Sequence, residues 1–369
     1  MKVKEPSPAS KRNFPSHASE FSHEDREVDI LVGYTNATTL QGEPYPKPIL
    51  ARKMGLDEKG LPYSDIVRRT LISPFEITAD DVMFLSHRGG IHPEDPRMTR
   101  DYETDEILTT IIEYKEATEK SAANAGPRLV ITDPTLQKVH SNKYVGPRIP
   151  IKRAISWIKS QRVRTLLARN LEHTGRVGRD IGTALIDLKD CIAYRVGGEY
   201  HLQIRLEPNI YVARAKDWRH FMENDFWEEH LRDLDNNSVF YASESASKVG
   251  GGSPLLRRGD YFEQAIHEVF EVRERAFDYY GTFIRIDPET GKAVSVLRNH
   301  LLKPEGRRFE FQDAFRKRIC FPTIFDIHPE TEESLVVGYG VADNKFAMRT
   351  ISSKWYDKEM SHPGNKVAA

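Results

Sequence analysis

Cys191-Ile192-Ala193-Tyr194-Arg195-Val196-Gly197-Gly198-Glu199-Tyr200-His201-Leu202-Gln203-Ile204-Arg205-Leu206 holds the clearest strand signal in the chain. Two runs of alternating character flank a glycine pair, the residue type that supplies the positive φ of a two-residue hairpin turn. Downstream, the pattern predicts a helix over Asp217–Leu234 and a mobile loop over Ser245–Arg258, built around Gly250-Gly251-Gly252. A second helix is predicted over Tyr261–Tyr280, where Phe262, Ile266, Val269, Phe270, Arg273 and Phe277 fall at helical spacing. A second hairpin follows, Phe283–Ile286 with Ala293–Leu297 about Asp287-Pro288-Glu289-Thr290-Gly291, and then strands at Ile319–Phe325 and Leu335–Val341.

Upstream, a helix is predicted after Pro150; its apolar face rotates along the segment, so either it breaks near Ser160 or two of its faces are buried. Arg128–Thr132 reads as a buried strand, and Tyr102–Ala123 as a long helix capped by Thr104. A short helix over Tyr63–Leu71 and a strand over Asp29–Tyr34 complete the reading. Helices and antiparallel hairpins are mixed without repeated strand–helix–strand units, so the expected class is α+β, topology open. The expected divisions are a disordered arm over 1–28, an N-terminal α/β part over 29–147, an α+β part over 148–356, and a frayed tail over 357–369.

Of the 369 residues 39% are hydrophobic and 30% charged, enough to bury a core. The two cysteines, Cys191 and Cys320, exclude a disulfide scaffold and a zinc site of close cysteine pairs. They suit a reducing compartment. No apolar run approaches the roughly 18 residues of a membrane span, and the first residues carry no apolar signal core. An intracellular protein without a membrane partner is the expectation.

Lys plus Arg total 54 against 55 Asp plus Glu, yet the charge is unevenly spread. Arg148, Lys152, Arg153, Lys159, Arg162, Arg164, Arg169, Arg176 and Arg179 face only Glu172 across 148–179, nine cations to one acid. Arginine forks match phosphate oxygens, and Trp157 offers a stacking surface. The first reading is therefore a nucleic-acid-binding subunit of a multi-component or self-assembled particle. The rival is a charge pairing with the acidic helix 217–234 and its flank (Glu223, Asp225, Glu228, Glu229, Asp233 and Asp235, relieved only by Arg232), within one molecule or between subunits of a homo-oligomer. In that case the protein is structural.

A third reading rests on Asp180, Asp187 and Lys189, whose acid and acid-x-Lys spacing is that of a Mg²⁺-dependent nuclease. No other cofactor is indicated. Glu263 and His267, four apart on the predicted helix, share a face and read as a surface pair. Ser245-Ala246-Ser247-Lys248 fits a Ser-x-x-Lys string without partner motifs.

Overall fold

Burial on both faces, not helical periodicity, decides the architecture. A computed structural model describes residues 30–32, 52–54, 83–84, 91–101, 103–115, 124–133, 139–176, 179–273, 276–303, 311–312, 317–327, 333–341 and 345–367. The expected helix over Tyr63–Leu71 lies outside them.

Sheet I holds β1 (Ile30–Val32) between β2 (Arg52–Met54) and β3 (Met83–Phe84). Sheet II is an antiparallel meander of β4 (Ile91–Arg100), β5 (Ile107–Lys115), β6 (Asn124–Thr132) and β7 (Val139–Tyr144). Sheet III repeats it with β8 (Lys189–Val196), β9 (Glu199–Leu206), β10 (Asn209–Ala215) and β11 (Ser238–Phe240). Sheet IV contains β12 (Lys248–Gly251), β13 (Leu256–Arg258), β14 (Tyr261–Arg273), β15 (Ala276–Ile286) and β16 (Ala293–Val296). Its ladder continues into β17 (Phe311–Gln312), β18 (Lys317–Ile327), β19 (Ser334–Val341) and β20 (Lys345–Ser352). The two halves are joined by the parallel pairing of β15 with β18, Asp278 with Arg318 and Tyr279 with Ile319.

The α+β expectation is overturned: the described residues form twenty strands and four α-helices. The helices are α1 (Ile151–Ile155), α2 (Gln161–Arg176), α3 (Asn224–Arg232) and α4 (Ser353–Ser361). Two expected helices are strands. Ile107–Ile112 is buried at every position in β5, and Phe262–Val269 at every position in β14, so neither strand shows alternation. The anchors Phe262, Ile266 and Phe270 step by four residues, which is one helical turn but also two strand repeats. Five β-branched residues among Ile107–Ile112 tip β5 toward the extended form.

Consecutive sheets lie against one another in chain order: β4 against sheet I, β8 against β4, β5 and β6, and β12 against β8, β9 and β10. Meanders laid face to face along the chain are the order in which a β-propeller places its blades. One core fills the space between sheets II and III and the helices α1–α3, with Leu108, Leu129, Leu202 and Trp227. A second joins sheets III and IV through Ile192, Tyr194, Phe262 and Ile284. A third holds Phe283, Phe325, Tyr356 and Met360 under α4.

The 191–206 hairpin is as the sequence predicts, with Gly197 and Gly198 at φ +58° and +81°. Of the two alternatives near Ser160 the break is the one found, since α1 ends at Ile155 and α2 starts at Gln161. The glycine-rich stretch is not a loop. Gly250 and Gly251 lie in β12, and a Cβ on Gly250 would meet the Asp190 carboxylate and come within 2.6 Å of His267 Cε1. Those glycines serve close approach of two sheets, not mobility.

The chain end is a helix rather than a frayed tail, with Tyr356 and Met360 buried. Glu263, fully buried, accepts from Arg258 at 2.9 Å and Arg285 at 2.6 Å, and both arginines also reach Asp357 of α4. Glu263→Gln removes the fully buried charge that two partly buried guanidinium groups share and is expected to cost about 3 kcal/mol. Asp357→Asn, at a half-exposed position, is expected to cost no more than about 1 kcal/mol. Urea unfolding of both variants checks the order, and equal losses would refute it.

Candidate functional site

The basic segment is a packed helical pair. Ile151, Ala154, Ile158, Val163 and Leu167 are buried in the core between sheets II and III, which turns Lys152, Lys159, Arg164, Arg169 and Arg176 outward. Several of its cations are engaged within the chain. Arg148 sits over the Tyr144 ring at 5.2 Å, and its N–H donates to Asn224. Arg153 pairs with Glu228 at 3.2 Å, and Arg153 and Arg232 both lie over Trp157. Arg162 donates to the carbonyls of Ala242 and Ala246, and Arg176 pairs with Glu172. Trp157, half-buried between two guanidinium groups, is no open stacking surface. The acidic helix meets the basic one inside one chain, through Glu228 and Asn224.

The remaining member, Arg179, borders a cleft of about 300 Å³. It lies between α2, which supplies Asn170, His173 and Thr174, and the ends of β8, β9 and β12, which supply Lys189, Arg205 and Lys248. Asp187 and Glu207 add two carboxylates from the connections before β8 and after β9. Asp187 and Lys189, paired by spacing in the sequence, thus meet in one cleft. Asp180 does not join them: its carboxylate caps the turn Ile181–Thr183 by accepting from Gly182 N at 2.8 Å. Among the described residues no three His, Cys, Asp or Glu side chains gather as a metal site. The two carboxylates that the Mg²⁺ nuclease reading needs, Asp180 and Asp187, are therefore not brought together in this cleft.

A β-bulge shapes the floor. In the β8–β9 ladder Lys189 faces Arg205 but Ile192 faces Gln203, so three steps on β8 match two on β9. Asp190 absorbs the extra residue at φ +50°, a left-handed conformation that aspartate tolerates better than most side chains. The bulge re-aims the Asp190 carboxylate onto Arg205, Oδ2 to Nη1 2.6 Å, with both groups buried. His267 Nε2 lies 3.7 Å from the same oxygen. Burial, together with Arg205, Arg97 and Lys248, drives the His267 pKa well below the ordinary imidazole range, so the ring is neutral. Glu263 and His267 are not a helical surface pair: both are buried on β14, and four strand residues separate them by roughly 13 Å.

The two cleft carboxylates are tuned in opposite directions. Asp187 accepts from Ala125 N at 2.7 Å. Desolvation of its crowded carboxylate, reinforced by Glu207, outweighs that bond and Lys189 and pushes its pKa up to about 6. Burial alone would raise Glu207 as well, but Lys248, Arg205 and Lys189 together hold it below the ordinary carboxylate value. Lys248 Nζ lies 2.7 Å from Glu207 Oε1. Ser245 of the Ser-x-x-Lys string is exposed and does not line this cleft.

Sequence reasoning missed Asp190, Arg205, Glu207, Lys248 and His267. A carboxylate at the start of a strand otherwise reading as apolar was the one visible trace of the bulge. Lys248 stood in view within the Ser-x-x-Lys string, but its partner lies 41 residues earlier.

No protein-family model matches the sequence, and no curated protein does. Among solved structures, the chain is similar to a β-1,2-mannobiose phosphorylase from Listeria innocua at 14% identity, covering 92% of this chain and 85% of that one, TM-score 0.47. It is similar to a glycosyl hydrolase from Bacteroides ovatus at 11% identity, covering 99% and 95%, TM-score 0.48. A mannose phosphorylase from Leishmania mexicana shows 11% identity, coverage of 80% and 78%, and TM-score 0.43. These are carbohydrate-active proteins, whereas the sequence reading expected a nucleic-acid binder or nuclease. What they act on is a property of theirs and is not carried over on likeness of this degree. No helix among the described residues is long and apolar enough to cross a membrane.

Because Asp187 holds its proton more tightly folded than at its ordinary value of 3.8, ionising it in the fold is unfavourable. That penalty is absent below pH 4, grows as pH rises, and is complete above about 6. Asp187→Asn keeps the acceptor for Ala125 N and removes the charge. It is expected to raise Tm above pH 6 and to leave Tm unchanged at pH 4; thermal melts across this range check it. The same difference at both ends would contradict the assignment.

Proposed function

We propose that the cleft is the active site of an acid–base enzyme that hydrolyses or transfers a glycosidic bond of a small polar substrate. The observation that carries this reading is the pair of cleft carboxylates displaced in opposite directions, Asp187 up to about 6 and Glu207 below its ordinary value. Two carboxyl groups whose surroundings separate their protonation divide into an acid and a base. Acetal cleavage needs that pair: a protonated acid for the leaving oxygen and an ionised carboxylate for the cationic ring or for the attacking water.

Asp187 is the proton donor and Glu207 the ionised partner. Asn170, His173 and Thr174 on α2 offer hydrogen-bonding groups to substrate hydroxyls, and Arg179 flanks the cleft with a cation. The required forms coexist only on the acid side of neutrality. Activity falls as pH rises through about 6, where Asp187 loses its proton. It also falls as pH drops through the Glu207 pKa, below the ordinary 4.5.

A panel of 4-nitrophenyl glycosides with varied sugars tests the reading by nitrophenol release between pH 3 and 9. One or more are expected to turn over with a bell-shaped profile on the acid side. Asp187→Asn and Glu207→Gln are each expected to lower kcat by about 100-fold or more. Turnover that survives Asp187→Asn, or a rate still rising above pH 7, would overturn the assignment, as would no turnover and no sugar binding across the panel.

A further inference from the structure

The cleft straddles a joint between two sheets. Glu207 directly follows β9 of sheet III, while Lys248 begins β12 in sheet IV. Three contacts fix them together. Val249 N donates to Pro208 O at 2.8 Å, which sets β12 beside the Glu207–Pro208 corner. Lys248 Nζ then reaches Glu207 Oε1 at 2.7 Å. Gly250, two residues on, lets β12 close over the Asp190 carboxylate and His267, where any Cβ would collide. The Asp190–Arg205 pair lies beneath, and Lys248 is a cation in direct contact with Glu207.

We infer that Lys248 is the positioning residue of the site, holding Glu207 in place and ionised, and that docking of β12 through Gly250 completes the catalytic pair. The inference rests on the assignment of Glu207 as the ionised partner. Three elements face Glu207 with charge: Lys248 from β12, Arg205 from β9 and Lys189 from β8, with Asp187 across the cleft and Arg179 and His173 on its far wall. Lys248 is itself drawn below its ordinary value by burial and by Arg205, and Glu207 opposes that pull. A lysine held in this way is a cation whose charge serves its neighbour.

Carboxyl NMR of the full chain, labelled with ¹³C in glutamate and assigned by difference from Glu207→Gln, reads the Glu207 titration directly. In the native protein its midpoint is expected below 4.5. Lys248→Gln, which keeps the length and removes the charge, is expected to raise it by about one unit or more, and Lys248→Arg to return it most of the way. Gly250→Ala, which replaces no charged residue but drives a Cβ against Asp190 and His267, is expected to raise it in the same direction by displacing β12. The acid limb of the glycosidase profile should move upward in step in Lys248→Gln. A Glu207 midpoint unmoved in folded Lys248→Gln overturns the inference, whatever happens to activity. A midpoint that moves while no glycoside is cleaved by any form upholds the positioning role and removes the proposed activity instead. Should Lys248→Gln fail to fold, the Lys248→Arg and Gly250→Ala titrations decide: an unmoved midpoint in Gly250→Ala overturns the inference.

Discussion

The buried ion pair between Asp190 and Arg205 is the contact on which the neighbouring architecture turns. It sits at a bulge, so it bends the start of β8 and fixes how Lys189 and Asp187 approach the cleft. It also lies under β12, so its shape dictates that the covering residue be glycine. A charge pair of this kind has little net stability to offer, since the cost of drying both ions consumes most of their attraction. Its contribution is geometric: once the carboxylate is committed to Arg205, the ends of β8, β9 and β12 have one way to meet.

Charge pairing of a second kind closes sheet IV. Glu263 sits between Arg258 and Arg285, and Asp357 covers the open side from α4. Both ion clusters lie on β14 or touch it, Glu263 at its start and His267 four residues on. The strand that reads most like a helix in the sequence thus carries two buried carboxylates, Glu263 and Glu268.

That misreading has a physical cause. Burial on both faces erases the alternation that identifies a strand, and a four-residue step fits two repeats of a strand as well as one turn of a helix. The 191–206 hairpin was legible because its turn needs glycine at positive φ and because its runs alternate. The break between α1 and α2 was legible as one of two alternatives because the apolar face rotates near Ser160. Asp187 and Lys189 were visible as a local string, but Glu207, Lys248 and Asp190 meet only through sheet pairing and a bulge. The basic segment misled for a related reason: net charge along a chain does not reveal that Trp157, Arg232 and Glu228 would be waiting for Arg153. Gly250 suggested mobility, since the same residue serves a loop and a tight crossing, and the sequence carries no sign of which backbone will pass above it.

The seam between the two halves of sheet IV has its own thermodynamic character. Its described ladder runs through two residue pairs of β15 and β18, while Phe283, Phe325 and Tyr356 pack across it with ring centroids 4.8–5.6 Å apart. Cohesion there combines this apolar contact with the pairs that Arg258 and Arg285 make to Asp357 and the bond from Ser295 Oγ to Met360 O. The apolar contact weakens on cooling, whereas the long antiparallel ladders on either side hold. Cooling thus shifts the burden of holding the two halves from the rings to the charges around Asp357.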